Sequence, residues 1–217
     1  MTYCELPRML QPFYCEELIR LGKAYDGGYL VNKLDVLKTK KILSFGIGSD
    51  SSFEQDFLQL KSCPLDAYDD TDSALELFKE DCRFFPEAIT PKNIDSILEA
   101  EQGPVFLKCD IEGAEYAILD VLISKSRILS GVAIELHDVH NNFTEVADFI
   151  AKLGMPLIHV HVNNYTYLKG EGFNIPTVLE LTFTSSNNIA LDRDITLPHV
   201  LDMPNNPKEP QFSIGFR

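Results

Sequence analysis

The sequence predicts an α/β protein, a doubly wound and mainly parallel sheet of seven strands with an antiparallel edge. Three observations carry this reading. From Lys41 onward, short apolar runs alternate with segments of helical spacing. The first run, Ile42 to Phe45, stops at Gly46-Ile47-Gly48, and a helical pattern opens at once with Phe53 and Phe57. The last two runs, Leu157 to Val162 and Val178 to Thr184, have no helical pattern between them, which suggests the antiparallel edge.

Ahead of the sheet, Tyr14, Leu18 and Leu21 share one helical face and the pattern stops at Gly22, so a helix is expected over residues 11–22. Asp26-Gly27-Gly28 then reads as a turn into Tyr29-Leu30-Val31, a hairpin or edge strand and a candidate lid over the site. The helix after the first core strand has Ser51 or Ser52 as its cap, with Gln55 completing a capping box. The next strand, Leu65 to Tyr68, leads to an expected helix from Ser73 with Leu75, Leu77 and Phe78 inward. A weak strand near Arg83 to Phe85 and a helix opening at Pro91 follow. Val105 to Asp110 is a clear strand; a helix with Tyr116, Leu119 and Leu122 leads to a strand over Val132 to Leu136. The helix Phe143 to Leu153 ends at Gly154 in the position of a glycine cap. Residues 1–190 read as one domain, and residues 191–217, with Pro198, Pro204, Pro207 and Pro210, as an extended tail.

The glycine turn fits two classes of cofactor. A dinucleotide fingerprint wants a third glycine, where this chain has Ser51, and seats a pyrophosphate where Asp50 would repel it. S-adenosylmethionine carries a positive sulfonium, which suits an acidic turn. Asp69 lies 23 residues beyond Gly46, about where a second strand offers a carboxylate to ribose hydroxyls. Gly46, Gly48, Asp50, Asp69 and Asp110 are therefore the candidate cofactor contacts. A nicotinamide-dependent oxidoreductase and a non-catalytic nucleotide-binding protein remain the alternatives.

In an open α/β sheet, ligands sit beyond the carboxyl ends of the strands. That rule selects Asp110 with Glu112 at one terminus and Glu135, His137 and Asp138 at its neighbour. Asp110, Glu112 and His137 are the candidate catalytic groups. His137 can take the proton of an acceptor hydroxyl, or Asp110, His137 and Asp138 can hold a divalent metal that acidifies it; spacing leaves both open. Glu115 reads as a favourable charge at a helix N-terminus. Asp138, His161 and Asn164 are candidate acceptor contacts, although Asn163-Asn164 also suits a plain turn.

A net charge of −14 over 217 residues argues against a nucleic-acid binder. The five cysteines show no metal-site spacing and fit a reducing cytoplasm. No signal peptide pattern or membrane-span-length apolar run is present.

Taken in order, these pieces resemble the FkbM-type S-adenosylmethionine-dependent methyltransferases. The resemblance rests on Asp26-Gly27-Gly28-Tyr29, on Ser44-Phe45-Gly46-Ile47-Gly48 and on Tyr68-Asp69-Asp70-Thr71. It continues through Lys108-Cys109-Asp110-Ile111-Glu112-Gly113-Ala114-Glu115 and Ile134-Glu135-Leu136-His137 to His161 with Asn163-Asn164-Tyr165, and spans roughly residues 18–184. It implies a Rossmann-like fold of class I methyltransferase type, S-adenosylmethionine at the Gly46 turn, and methyl transfer to an oxygen, often of a sugar. The implied acceptor is a small molecule such as a sugar nucleotide, in polysaccharide or natural-product synthesis.

Overall fold

The structure, a computed structural model, describes residues 2–71, 82–190 and 193–217. The helix expected from Ser73 lies outside the described residues.

The chain opens with β1 (Thr2–Leu6), β2 (Tyr14–Cys15), β3 (Leu18–Leu21), β4 (Tyr29–Asn32) and the short α1 (Lys33–Lys38). The expected helix over residues 11–22 is not formed. Leu18 to Leu21 instead pairs antiparallel with Tyr29 to Asn32, Leu21 opposite Tyr29. The spacing of Tyr14, Leu18 and Leu21 suits a helix in isolation, but the Gly22 to Gly28 turn offers the segment a β partner, and tertiary pairing overrides the local pattern. Gly22 sits at φ +94°, and a Cβ there would fall 2.3 Å from the Gly27 carbonyl oxygen, so it closes this turn rather than capping a helix.

The alternation then runs as expected: β5 (Lys41–Phe45), α2 (Ser52–Leu60), β6 (Leu65–Tyr68), β7 (Cys82–Phe85), α3 (Ile94–Glu99), β8 (Val105–Cys109), α4 (Leu119–Lys125), β9 (Leu129–Leu136), α5 (Phe143–Leu153) and β10 (Leu157–Val162). The chain continues through β11 (Tyr167–Lys169), β12 (Asn174–Pro176), β13 (Leu179–Thr184), β14 (Ile189–Ala190) and β15 (Phe212–Phe216). The seven-stranded sheet has the order β10-β13-β9-β8-β5-β6-β7. Its strands are parallel from β9 to β7, while β13 runs antiparallel to both β9 and β10. Gly154 ends α5 at φ +71°.

Both faces of the sheet are covered, so the central strands are buried along their whole length. Leu43, Phe45, Leu107 and Cys109 face the larger core with α4 and α5 residues. Ile42 and Phe106 face the other side, against Phe53 and Phe57 of α2 and Tyr29 and Val31 of β4. The hairpin is thus a structural wall of the sheet, and it brings Tyr29 to the carboxyl ends of the strands.

The Pro-rich segment after β14 returns over β10 and ends as β15, paired in parallel with β1 from Thr2–Phe212 to Leu6–Phe216. It is anchored by polar side chains. The Asp202 carboxylate, its side chain 2% exposed, lies 3.0 Å from His159 Nε2 and 3.5 Å from His161 Nδ1. Asn205 links the same cluster, donating to Glu180 Oε1 at 2.6 Å and standing 3.0 Å from His161 Nε2. Burial opposes the charge on His161, but Glu180, Asp202 and Asn205 raise its pKa to about 9. Asp202 is likewise opposed by burial and held far below the usual carboxylate range by His159 and His161.

The His161 contribution to stability is complete below its unfolded pKa of about 6.5 and is lost as pH rises through about 9. The Asp202 contribution is complete above an unfolded pKa of about 4 and is lost on acidification. Urea unfolding is therefore expected to show a lower midpoint at pH 10 than at pH 6. Asp202→Asn should cost about 3 kcal/mol at pH 6 and flatten that difference, since it strips the histidines of their counter-charge.

Candidate functional site

Register builds the site. Phe45 stands opposite Tyr68 on one side and Cys109 on the other, and Cys109 stands opposite Ile134. The next residue of each strand is Gly46, Asp69, Asp110 and Glu135, so these four emerge side by side. Across β13, Glu135 pairs with Glu180 and extends the row. At the join of β5 and β8, the Asp110 N–H donates to the Phe45 carbonyl at 2.9 Å. Gly46 sits at φ +72°, and a Cβ there would stand 1.6 Å from the Asp110 carbonyl oxygen. No other residue fits.

Above this row lies a cavity of about 500 Å³, within the range of small-molecule sites. Gly46, Gly48, Asp50, Asp69, Asp110 and Glu112 all line it. The Asp69 carboxylate shapes the turn: Oδ2 accepts from the Ile47 and Gly48 N–H groups at 2.9 and 2.7 Å, and Oδ1 from the Thr71 N–H and hydroxyl. Those donors outweigh the opposing effect of burial and hold its pKa below the usual range. Asp50 ion-pairs with Lys23 at 3.0 Å and accepts from the Ser52 N–H at 3.2 Å. The first turn of α2 is therefore capped by Asp50, and Gln55 reaches Ser51 Oγ instead of closing the expected capping box.

Three polar groups beneath the cavity are not selected by the sequence reading. Lys108, buried in β8, donates to the Gly46 carbonyl at 2.6 Å. Glu54 of α2 is buried and accepts from Ser44 Oγ at 2.5 Å; burial pushes its pKa up. Tyr29 Oη lies 3.2 Å from both Asp110 Oδ2 and Glu135 Oε2 and donates into that pair. The available signal was a lysine inside an otherwise apolar core strand, a costly placement without a task.

Asp110, Glu112 and His137 converge, with one ligand atom from each inside a span of 4.8 Å. His137 Nδ1 stands 3.1 Å from Glu115 Oε1, and that oxygen also accepts from the Ile111 and Gly113 N–H groups at 3.1 Å. Glu115 is fully buried and thus fixes both the turn after β8 and the imidazole. Its lock on Nδ1 leaves Nε2 toward Glu112, 3.5 Å away, and Glu135, 3.9 Å away. Burial alone would lower the His137 pKa; the Glu115 hydrogen bond and the charges of Glu115, Glu135 and Asp110 raise it to about 9. His137 therefore carries a proton at neutral pH, so a direct general-base role requires its minor, neutral form. Burial, with Glu180 and Asp110 adding repulsion, pushes Glu135 well up.

One imidazole nitrogen and two carboxylates form a donor set that suits a divalent cation, with Glu115 as the outer partner of the imidazole. The set differs from the expected one. Asp138 is exposed at φ +49° and turns the backbone into α5, its carbonyl accepting from Asn141 and Asn142, while Glu112 takes its place in the trio. His161 and Asn164 are buried away from the cavity and hold the C-terminal segment: Asn164 bonds Asn206 and Glu209 backbone groups at 2.7 to 3.1 Å. Asn163 is the residue of that cluster that reaches the site, donating to Glu135 Oε1 at 3.0 Å.

Glu115→Gln is expected to bring the His137 pKa from about 9 back toward the ordinary value of roughly 6.5, read by NMR titration of the ring protons. An unchanged titration would show that Glu115 does not govern the imidazole. Gly46→Ala should cost about 2–4 kcal/mol in chemical denaturation, from left-handed backbone strain plus the clash with Asp110.

A family model described as the methyltransferase FkbM domain matches residues 19–157. No curated protein matches the chain by sequence. Similar solved structures include a precorrin-6y C5,15-methyltransferase from Geobacter metallireducens, at 15% identity and TM-score 0.44, covering 70% of this chain and 84% of that one. An rRNA methylase from Streptococcus thermophilus shows 13% identity and TM-score 0.45 over 70% and 91% of the two chains. The fibrillarin pre-rRNA processing protein of Methanococcus jannaschii shows 10% identity and TM-score 0.45 over 69% and 68%. With the strand order, the glycine turn and the matched segment in agreement, the fold is the Rossmann-like methyltransferase fold, and the chain belongs to the FkbM methyltransferase family.

Proposed function

We propose that this methyltransferase moves the methyl group of S-adenosylmethionine to a hydroxyl of a sugar or sugar nucleotide, in polysaccharide or natural-product biosynthesis. The observation that carries the reading is the convergence of Asp110, Glu112 and His137, the two carboxylates lining the cavity and the imidazole beside them. An alcohol is a poor nucleophile until its proton is drawn off, and this trio offers carboxylate oxygens and an imidazole to a single acceptor oxygen. Methyl transfer breaks the sulfonium S–CH₃ bond as the C–O bond forms, and S-adenosylhomocysteine leaves neutral at sulfur. Among the described residues, the cavity wall has six carboxylates, from Asp26, Asp50, Asp69, Asp70, Asp110 and Glu112, against two lysines. That balance favours a cationic cofactor and disfavours a polyanionic nucleic acid.

His137 is held by Glu115 with its Nε2 toward Glu112 and Glu135, where it would meet the acceptor, and Tyr29 bonds the Asp110 carboxylate. A divalent cation held by Asp110, Glu112 and His137 would supply acidification of the hydroxyl. In the metal-free protein the proton must pass to a carboxylate or to the neutral fraction of His137. Activity in a chelator should then climb with pH until His137 deprotonates near 9.

The test is methyl transfer from labelled cofactor into a panel of nucleotide sugars, with RNA as a control arm, in chelator and in added Mg²⁺ or Mn²⁺. S-adenosylmethionine should raise the melting temperature. His137→Ala should lower kcat by about 10²- to 10⁴-fold while cofactor affinity holds. Label appearing in RNA alone, or a thermal shift with NAD in place of S-adenosylmethionine, would overturn the assignment.

A further inference from the structure

One buried cation at the cofactor cavity has no task in the chemistry above. Lys108 is 5% exposed yet lines the cavity, its ammonium 2.6 Å from the Gly46 carbonyl oxygen and 5.8 Å from the centre of the Tyr29 ring. An ammonium has three N–H donors. Gly46 takes one, and among the described residues Lys108 makes no salt bridge. Glu54, the buried carboxyl on the neighbouring helix, bonds Ser44; it feels the Lys108 charge, which lowers its pKa against burial, but forms no ion pair with it. The cavity's other lysine is already committed: Lys23 is half-exposed and paired with Asp50 at 3.0 Å.

The cofactor presents three charges at its methionine end, a sulfonium, an α-ammonium and an α-carboxylate. The wall described above is acidic nearly throughout and receives the two cations readily. Among the described lining residues, Lys108 is the cation without an ion pair, and so the group able to receive the carboxylate. Lys108 and Asp110 stand two residues apart on β8 and so emerge on the same face of the sheet, one positive and one negative. That pair matches the two ends of an amino-acid zwitterion. We propose that Lys108 is a cofactor-binding residue that takes the α-carboxylate of the methionine moiety, its bond to Gly46 holding the ammonium at the floor of the glycine turn. The proposal rests on S-adenosylmethionine being the cofactor.

The experiment compares S-adenosylmethionine with decarboxylated S-adenosylmethionine by calorimetry, on the wild type and on Lys108→Met. The wild type should bind the carboxylate-bearing form about tenfold to a hundredfold more tightly, as expected for a charge-assisted contact. Lys108→Met should bind the two forms alike, at the wild-type affinity for the decarboxylated one. Equal weakening of both ligands would mean that Lys108 only braces the Gly46 turn, and unchanged binding of S-adenosylmethionine would likewise overturn the proposal. If Lys108→Met fails to fold by circular dichroism, Lys108→Gln, which keeps a donor for Gly46, answers the same question. A wild type that binds both forms equally overturns the carboxylate contact, whereas a wild type that binds neither overturns the cofactor assignment itself.

Discussion

The site depends on one close approach, the backbone of Gly46 lying against the carbonyl of Asp110 where β5 and β8 end together. That contact lets the two termini share a floor, and the parallel ladder transmits the alignment to β6 and β9. Asp69, Asp110 and Glu135 are neighbours in space because the residues before them are hydrogen-bonded partners in a sheet. A slip of one residue in any of these strands would turn its carboxylate to the opposite face. Rigidity of the core is therefore what gives the acidic row its geometry, and the polar residues depend on apolar packing beneath them.

The row concentrates negative charge, and the molecule manages that charge in graded ways. Asp69 is neutralised by backbone and side-chain donors of its own loop, Asp50 by Lys23 and the first turn of α2, and Glu115 by two amides and His137. Glu135 is raised toward its neutral form by burial beside Glu180 and Asp110. Asp110 and Glu112 line the cavity, and on the proposed function these are the carboxylates that meet the acceptor. Charge that is matched inside the protein shapes the loops, and charge left facing the cavity defines what can bind.

Much of the architecture was legible because the core strands are apolar runs buried on both faces and punctuated by glycine, a pattern that few alternatives share. The glycine turn and the Asp110 and His137 termini could be located from the same pattern, since ligands gather where parallel strands end. The helix misread over residues 11–22 shows the limit of periodicity: Tyr14, Leu18 and Leu21 satisfy a helical spacing, yet the decisive partner is Tyr29 to Asn32 across a turn. Lys108 was given no role of its own because a lone charge in an apolar run reads as noise until its neighbour Gly46 is known. His161 and Asn164 were drawn toward the site by their position at a strand end, but their partners, Asp202 and Asn206, belong to a Pro-rich stretch without periodic signal. Long-range polar matching of that kind leaves no local trace.

The parallel pairing of β1 with β15 has a consequence for biosynthesis. β1 is made about 210 residues before its partner, as the pairing of Thr2 with Phe212 shows. Until then β1 has an open edge toward β15 and only a marginal pairing with β12. Such an edge is a template for wrong partners. The nascent chain thus carries this open edge throughout the synthesis of the residues between the two strands, and the small sheet is complete only when the segment ending in β15 delivers its partner.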